Sequence, residues 1–330
     1  MPGTWIGISG WTYAGWRGTF YPKGLSSSKE LYYASRKLNS IEVNGSFYRL
    51  PRPENYLDWY EQTPQADFMF SVKAGRFITH IRRLKEIEEP VANFFASGIL
   101  GLKEKLGPIL WQFPPNMQFD EARFENLFAM LPHDCEAAAE VAWRRSGWLK
   151  GRASWTFDVN RPIRHAVEIR HFSFLNQRYI DLLRAYDIAF VFADSAGKFP
   201  YTEDATSDFI YMRLHGAQQI YTSGYTDAEL DWWAKRIAAW RSGKEPPGAR
   251  RIGPKARKIK SRDIYVYFDN DVKVQAPFDA MRLAERVGIA EGKVDERALR
   301  RAKDREDELH KLVEGHRVRH GRKARMTKPE

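Results

Sequence analysis

Short runs in which apolar and polar residues alternate recur along the chain, separated by longer stretches with apolar residues at helical spacing. In Trp5 to Ser9, Ile6 and Ile8 fall on one side and Gly7 and Ser9 on the other, the period-two signature of a strand. The same signature recurs at Ser40 to Asn44, Phe68 to Lys73, Pro108 to Phe113, Ala166 to Arg170, Ile188 to Asp194, Phe209 to His215 and Ile264 to Asp269. Between these runs, helical spacing marks Ser28 to Leu38 with Ser28 as N-cap, Asn55 to Gln62, Pro90 to Leu106, Asp120 to Leu131, Gln177 to Tyr186, Asp227 to Trp240 and Ala276 to Val287. No helix is expected between Asp194 and Asp208. Strand alternating with helix implies a parallel sheet, because a parallel pair needs a crossover.

Eight such units fit an α/β fold of the (β/α)8 TIM-barrel type. The competing architecture is a doubly wound open sheet. Against it, no Gly-x-Gly-x-x-Gly turn follows the first strand, and no Walker-type phosphate loop occurs. A barrel makes a sharper prediction: helix-facing positions are apolar, and polar residues gather at the inward carboxyl ends. Assigning Ile6, Ile41, Val43, Phe70, Val72, Ile109, Trp111, Val167, Ile169, Ala189, Val191, Met212, Leu214, Val266 and Phe268 to the helix side leaves a polar set inward. That set is Ser9, Glu42, Asn44, Lys73, Gln112, Glu168, Arg170, Asp194, Arg213, His215 and Asp269. Glu168 and Arg170 share one side of their strand, and two charges there need a partner or a polar cavity. A satisfied structural ion pair is the competing account.

The stretches IGISGWTYAGWRGTFYP, LNSIEVNGSFYRLP, FMFSVKAGRFITH, LGPILWQFPP, VEIRHFSF, YMRLHG and DIYVYFDND, in that order, resemble the DUF72 or YecE-like family. This resemblance covers Thr4 to Val287. It implies a TIM barrel that has been likened in fold to sugar isomerases, and it implies no particular reaction. The recurrent motif residues fall on Ser9, Trp11, Glu42, Asn44, Tyr48, Lys73, His80, Gln112, Glu168, Arg170, His171, Arg213, His215, Tyr225 and Asn270, among others. The expected domain layout is a barrel over 1–288 with insertions at 132–164 and 241–262, followed by a charged helical or disordered tail over 289–330.

Glu42 and Glu168 are candidates for a general acid and base, with His215 and Lys73 as further catalytic candidates. Arg170, Arg213 and Lys73 suit a phosphate or carboxylate. Ser9, Trp11, Asn44, Tyr48, Gln112, His171, Tyr225 and Asn270 complete the substrate-binding set; Trp11, Tyr48 and Tyr225 could instead be loop anchors. A divalent cation on Glu42, Glu168, Asp194 and His215 is opposed by the nearby cations, so no cofactor or metal is predicted.

Charge changes the picture in one way. The chain of 330 residues has a formal net charge of +11. Part of that charge is concentrated in Arg241 to Arg262, where Arg250, Arg251, Lys255, Arg257, Lys258 and Lys260 face a single acid, Glu245. In a barrel this helix-to-strand loop leaves from the amino-terminal face, as do the 132–164 segment and the tail. Nucleic acid is therefore a second candidate partner, bound through its phosphates. Cys135 is the only cysteine, which excludes an intrachain disulfide. No leader and no apolar stretch of about 20 residues is evident, so the expected location is cytoplasmic, with no membrane partner.

Overall fold

Eight parallel strands pair in sequence order and close into a barrel: β1 (Thr4–Ser9), β2 (Ser40–Val43), β3 (Met69–Lys73), β4 (Leu106–Gln112), β5 (His165–Glu168), β6 (Ala189–Asp194), β7 (Phe209–Leu214) and β8 (Asp263–Phe268). Closure is made by β1 on β8, from Thr4 opposite Ile264 to Ile8 opposite Phe268. The computed structural model describes residues 2–64, 67–221, 223–271 and 274–289. The expected tail from residue 290 onward lies outside the described residues.

Around the barrel run α1 (Glu30–Ala34), α2 (Gly45–Tyr48), α3 (Pro53–Gln62), α4 (Glu88–Phe95), α5 (Glu121–Met130), α6 (Cys135–Trp143), α7 (Gln177–Ala185), α8 (Asp227–Arg241) and α9 (Gln275–Arg286). Their starts follow local chemistry. Asp120 caps α5, Asn176 caps α7, and Thr226 with Glu229 forms a capping box on α8. Two predicted helices are shorter than expected. Ser26, rather than Ser28, caps a single 3-10 turn before α1, which ends at Ala34. The helix expected over Pro90 to Leu106 breaks at Gly98, whose φ of 102° leaves the right-handed region, and resumes as 3-10 turns over Ile99–Lys105.

The strand phases follow the apolar pattern except in β6. Here Ala189 and Val191, expected to face the helices, lie in the barrel interior with Leu110, Ala166, Phe209, Tyr211, Tyr265 and Tyr267. Phe190 and Phe192 pack in the outer core instead. The run is apolar at five successive positions, so alternation cannot fix its phase. Volume does: small side chains point inward beside three tyrosine rings, and large ones fill the shell. Asp194, in phase with Phe190 and Phe192, therefore leaves the inward set.

No helix forms between β6 and β7, as expected, and the basic insertion fills the gap. It leaves the amino-terminal end after α8 and folds onto the flank. Glu203 accepts from Arg250 N at 2.8 Å and from Arg236 Nε at 2.6 Å, while the Asp204 carboxylate accepts from Ile252 N and Gly253 N, each at 2.9 Å. Both carboxylates are fully buried, so these bonds replace hydration that would otherwise be lost. The 132–164 insertion likewise climbs the barrel wall: α6 packs on α4, and Asn93 donates to Ser146 Oγ at 2.8 Å. These anchored parts of the two insertions pack on different flanks of the barrel, while Arg257 and Arg262 of the basic insertion lie beside Asp208 at the start of β7.

The Glu203 anchor predicts a large effect from one substitution. Glu203→Ala leaves Arg236 buried without its partner, and urea denaturation should register a loss of roughly 3 to 5 kcal/mol.

Candidate active site

The inward carboxyl ends of β1, β2, β5, β7 and β8 meet around one guanidinium. Arg213, 1 % exposed, grips Glu42 through Nε at 3.1 Å and Nη2 at 2.9 Å, donates from Nη1 to Glu168 at 2.6 Å, and reaches Asp269 from Nη2 at 2.9 Å. Glu42 is completed by Ser9 Oγ at 2.7 Å and by the Tyr211 hydroxyl at 2.7 Å. Glu168 is completed by Arg170 Nε at 2.8 Å. Two-point recognition of a carboxylate is geometry that a lysine could not supply. Burial opposes the Arg213 charge, yet Glu42, Glu168 and Asp269 outweigh it and hold its pKa well above the ordinary value. Burial likewise pushes Glu168 up, but Arg213 and Arg170 bring it well below the usual carboxylate range.

Above this cluster opens a cavity of about 740 Å³, walled by Asn44, Phe47, Tyr48, Lys73, Arg76, His80, Gln112, Arg170, Arg213, Tyr221, Asp269 and Asp271, among others. Glu42 and Glu168 do not line it; both are 0 % exposed and hold arginines from behind. Several polar groups facing the cavity are unused. Lys73 Nζ makes no hydrogen bond or ion pair among the described residues and sits 4.4 Å over the Phe47 ring. Burial, with help from the neighbouring Arg213, lowers its pKa to about 8. Among the described residues Arg170 bonds only through Nε, and it stacks 4.3 Å over Phe199, leaving its terminal nitrogens available. Among the described residues, Asn44 Oδ1 and Asp271 Oδ1 are buried without hydrogen-bond partners. A second cavity of about 720 Å³ shares Phe47, Tyr48, Arg76 and Ile81 with the first and continues outward to Phe77 and Trp148.

Two carboxyls at the end of β8 are driven apart. Asp269 is pushed up by burial but brought below its usual range by Arg213 and by His215, whose Nδ1 lies 3.0 Å from Asp269 Oδ2. Among the described residues neither His215 ring nitrogen meets hydrogen-bond criteria with a partner. Asp271 is raised well above the carboxylate range by burial and by the negative Asp269 beside it. Such a pair, one ionised and one protonated, is the environment that separates a base from an acid. His80 is lowered to about 4 by burial and by Lys73, so it is neutral near pH 7.

Among the predicted residues, Glu42, Glu168, His215, Lys73, Ser9, Asn44, Tyr48, Gln112, Arg170 and Arg213 come together at the mouth. Four others lie outside both this cluster and the cavity wall. Trp11 packs edge-on against Trp59 at 5.4 Å, and His171 caps the turn Phe172–Phe174. The Tyr225 hydroxyl donates to Asp194 at 3.0 Å and accepts from Gly216 N at 3.1 Å, while Asn270 donates to Asp279 and to Ser223 O. These four anchor rim loops. Gly216 itself has a φ of 115°, and a Cβ there would lie 2.6 Å from Gln219 O, so only glycine suits this turn beside His215. The carboxylate set weighed for a divalent cation loses Asp194, which faces outward to Tyr225, and Arg213 bridges Glu42 and Glu168. Among the described residues no group of three or more His, Cys, Asp or Glu is placed to hold a metal. Asp271, Tyr13, Arg76 and Tyr221 were missed as site residues, because each lies on a loop past a strand end, where no periodicity marks direction. The basic insertion keeps all six predicted cations exposed, and among the described residues only Arg251 of these has an ion pair, to Glu245 at 3.4 Å. No helix among the described residues is long and apolar enough to cross a membrane.

The buried amine gives a second prediction. Its depressed pKa means the folded state holds that proton less tightly than the unfolded chain, a cost present in full below about pH 8 and gone above about 10.5. Lys73→Met should therefore stabilise the protein near pH 7 by up to roughly 3 kcal/mol. Denaturation curves at several pH values should show this gain shrinking as pH rises from 8 towards 10.5.

Comparison with known proteins agrees with this architecture. Over 110 residues the chain is 33 % identical to the UPF0759 protein YecE of Escherichia coli, a match spanning 33 % of this chain and 37 % of YecE. A solved DUF72 family protein from Thermotoga maritima superposes with a TM-score of 0.64 at 24 % identity, covering 86 % of this chain and 98 % of that one. One from Enterococcus faecalis gives 0.63 at 14 % identity, covering 88 % and 98 %. At these identities the superpositions speak for the fold alone. The family described as "Protein of unknown function DUF72" matches residues 5–304, and the chain belongs to it.

Proposed function

We propose that this chain is an enzyme that binds a small anionic or sugar-like substrate in the mouth cavity and acts on it by general acid and base chemistry. One observation carries the reading: Lys73, Arg76 and the outer nitrogens of Arg170 face a single cavity with no carboxylate paired to them among the described residues, while the buried glutamates saturate Arg213. Cations left unpaired in a partly desolvated site favour an anion there. Lys73, with a pKa near 8, serves as base or nucleophile, and Asp271, kept protonated, serves as acid. His215, beside Asp269 and Glu168, sits behind them as a further proton carrier. Glu42 and Glu168, the acid and base expected from the strand pattern, become positioning residues that fix Arg213 and Arg170.

Calorimetric titration with inorganic phosphate and glycerol 3-phosphate tests the anion. The native protein should bind at least one, and Arg170→Met should weaken it about tenfold or more, the range for losing one charged hydrogen-bond pair. Equal binding by both proteins, or by neither, overturns the reading.

A second reading rests on the insertion: five of its six named cations are exposed without an ion pair among the described residues, as phosphate-backbone contacts require. Gel shifts with single- and double-stranded DNA and RNA should then weaken steeply with salt, and replacing Lys255, Arg257, Lys258 and Lys260 by Gln should flatten that slope. Retention unaffected by those four changes removes this reading.

A further inference from the structure

We infer that Lys73 is an imine-forming nucleophile and that the substrate is a small aldehyde or ketone carrying a phosphate or carboxylate. This deepens the anion-site reading and rests on it. The argument begins with placement. Lys73 is the last residue of β3, and its strand fixes the backbone: Lys73 O accepts from Ser46 Oγ at 2.6 Å and the strand pairs with β4. Lys73 is 8 % exposed, yet among the described residues its amine contacts no carboxylate within ion-pair distance, although Glu42, Glu168 and Asp269 are all nearby. Each of those three is instead bound to Arg213.

That arrangement is costly for a lysine whose role is to bind an anion by charge alone, since an ammonium is strongly hydrated and the site strips its water. It suits an amine that reacts. Desolvation beside another cation is the recognised way to hold a lysine partly neutral near physiological pH, and only the neutral form has a lone pair for attack. The anionic end of the substrate is served separately by Arg170 and Arg76, which share the cavity wall. A bifunctional substrate, anion at one end and carbonyl at the other, uses both features together.

The chemistry balances with groups present. The ammonium of Lys73 loses a proton to solvent, and the neutral nitrogen's lone pair forms a bond to the carbonyl carbon. The carbonyl π pair moves to oxygen, and proton transfer from nitrogen to that oxygen gives a carbinolamine. Its hydroxyl then takes a proton from the Asp271 carboxyl and leaves as water. The products are a protonated imine on Lys73, one water and the Asp271 carboxylate. No oxidant, reductant or metal enters. The cation so formed lies among Glu42, Glu168 and Asp269, whose charges already favour the protonated state of this nitrogen.

Borohydride trapping tests the inference on the intact protein. Dihydroxyacetone phosphate, pyruvate and the uncharged butanone serve as carbonyl probes, each with sodium cyanoborohydride, and the labelled lysines are mapped by peptide mass spectrometry. With at least one charged probe, Lys73 should label at least tenfold faster than the average of the other lysines. Its rate should rise with pH and level off above about 8, and inorganic phosphate should compete. Lys73→Met should lose the fast adduct while keeping its fold by circular dichroism. Labelling of Lys73 no faster than that of the other lysines overturns imine formation, and it does so whether or not phosphate binds. Fast labelling by butanone equal to that by dihydroxyacetone phosphate and pyruvate keeps the imine and overturns the anionic substrate class. Arg170→Met separates the two readings again: slower labelling by the charged probes alone supports both, and unchanged labelling by all three overturns the anion site.

Discussion

A single guanidinium, shared among three carboxylates, organises the top of this barrel. Arg213 could not be buried alone, and neither could Glu42 or Glu168; each makes the others tolerable. The strands that supply them are separated by up to 171 residues in the chain, so the cluster exists only when the barrel closes. Hydrophobic packing between strands and helices explains why the chain collapses, but not why the mouth has one arrangement. A fully bonded ionic network does, because any slip of β2, β5 or β7 by one residue would turn a charge into the apolar shell.

The same network decides what the cavity offers a ligand. Because Arg213 absorbs Glu42, Glu168 and one oxygen of Asp269, those carboxylates do not neutralise Lys73 or the outer half of Arg170. An electropositive wall is thus a consequence of how the floor is satisfied. Close behind it, Asp269 and Asp271 sit two positions apart with opposite protonation preferences. Proximity to Arg213 stabilises the charge on one, and that charge then suppresses ionisation of the other.

Much of this was legible in the pattern of residues. Period-two alternation gave seven strands their correct facing, and with it Glu42, Lys73, Glu168, Arg170 and Arg213 at the mouth. It failed in β6, where five consecutive apolar residues carry no phase, and Asp194 was turned the wrong way as a result. It was also silent on depth. Strand position says that Glu42 and Lys73 both point inward, but only the packed structure separates a carboxylate sealed beneath Arg213 from an amine left open to the cavity. Trp11 and Tyr225 show the same limit for aromatics, since a ring that anchors a loop and one that stacks on a ligand look alike in sequence. Asp271 was beyond reach for a different reason: it follows the last strand on a loop, and its altered acidity comes from neighbours that the fold brings together.

Lys73 is the place where stability and arrangement disagree. Beside it at the mouth, among the described residues, Arg213 has three carboxylate partners and Glu168 has two guanidinium partners. A mouth that satisfies Arg213, Glu42 and Glu168 so thoroughly could have paired this amine as well, or replaced it with methionine against Phe47. Local departures from such consistency, held at a cost to the fold, concentrate where a protein does its chemistry. The departure here is specific in kind. An unpaired arginine would indicate only a site for an anion, whereas an unpaired, desolvated amine has a pKa that can fall far enough to expose its lone pair. That difference is why the role proposed for Lys73 is covalent rather than merely electrostatic.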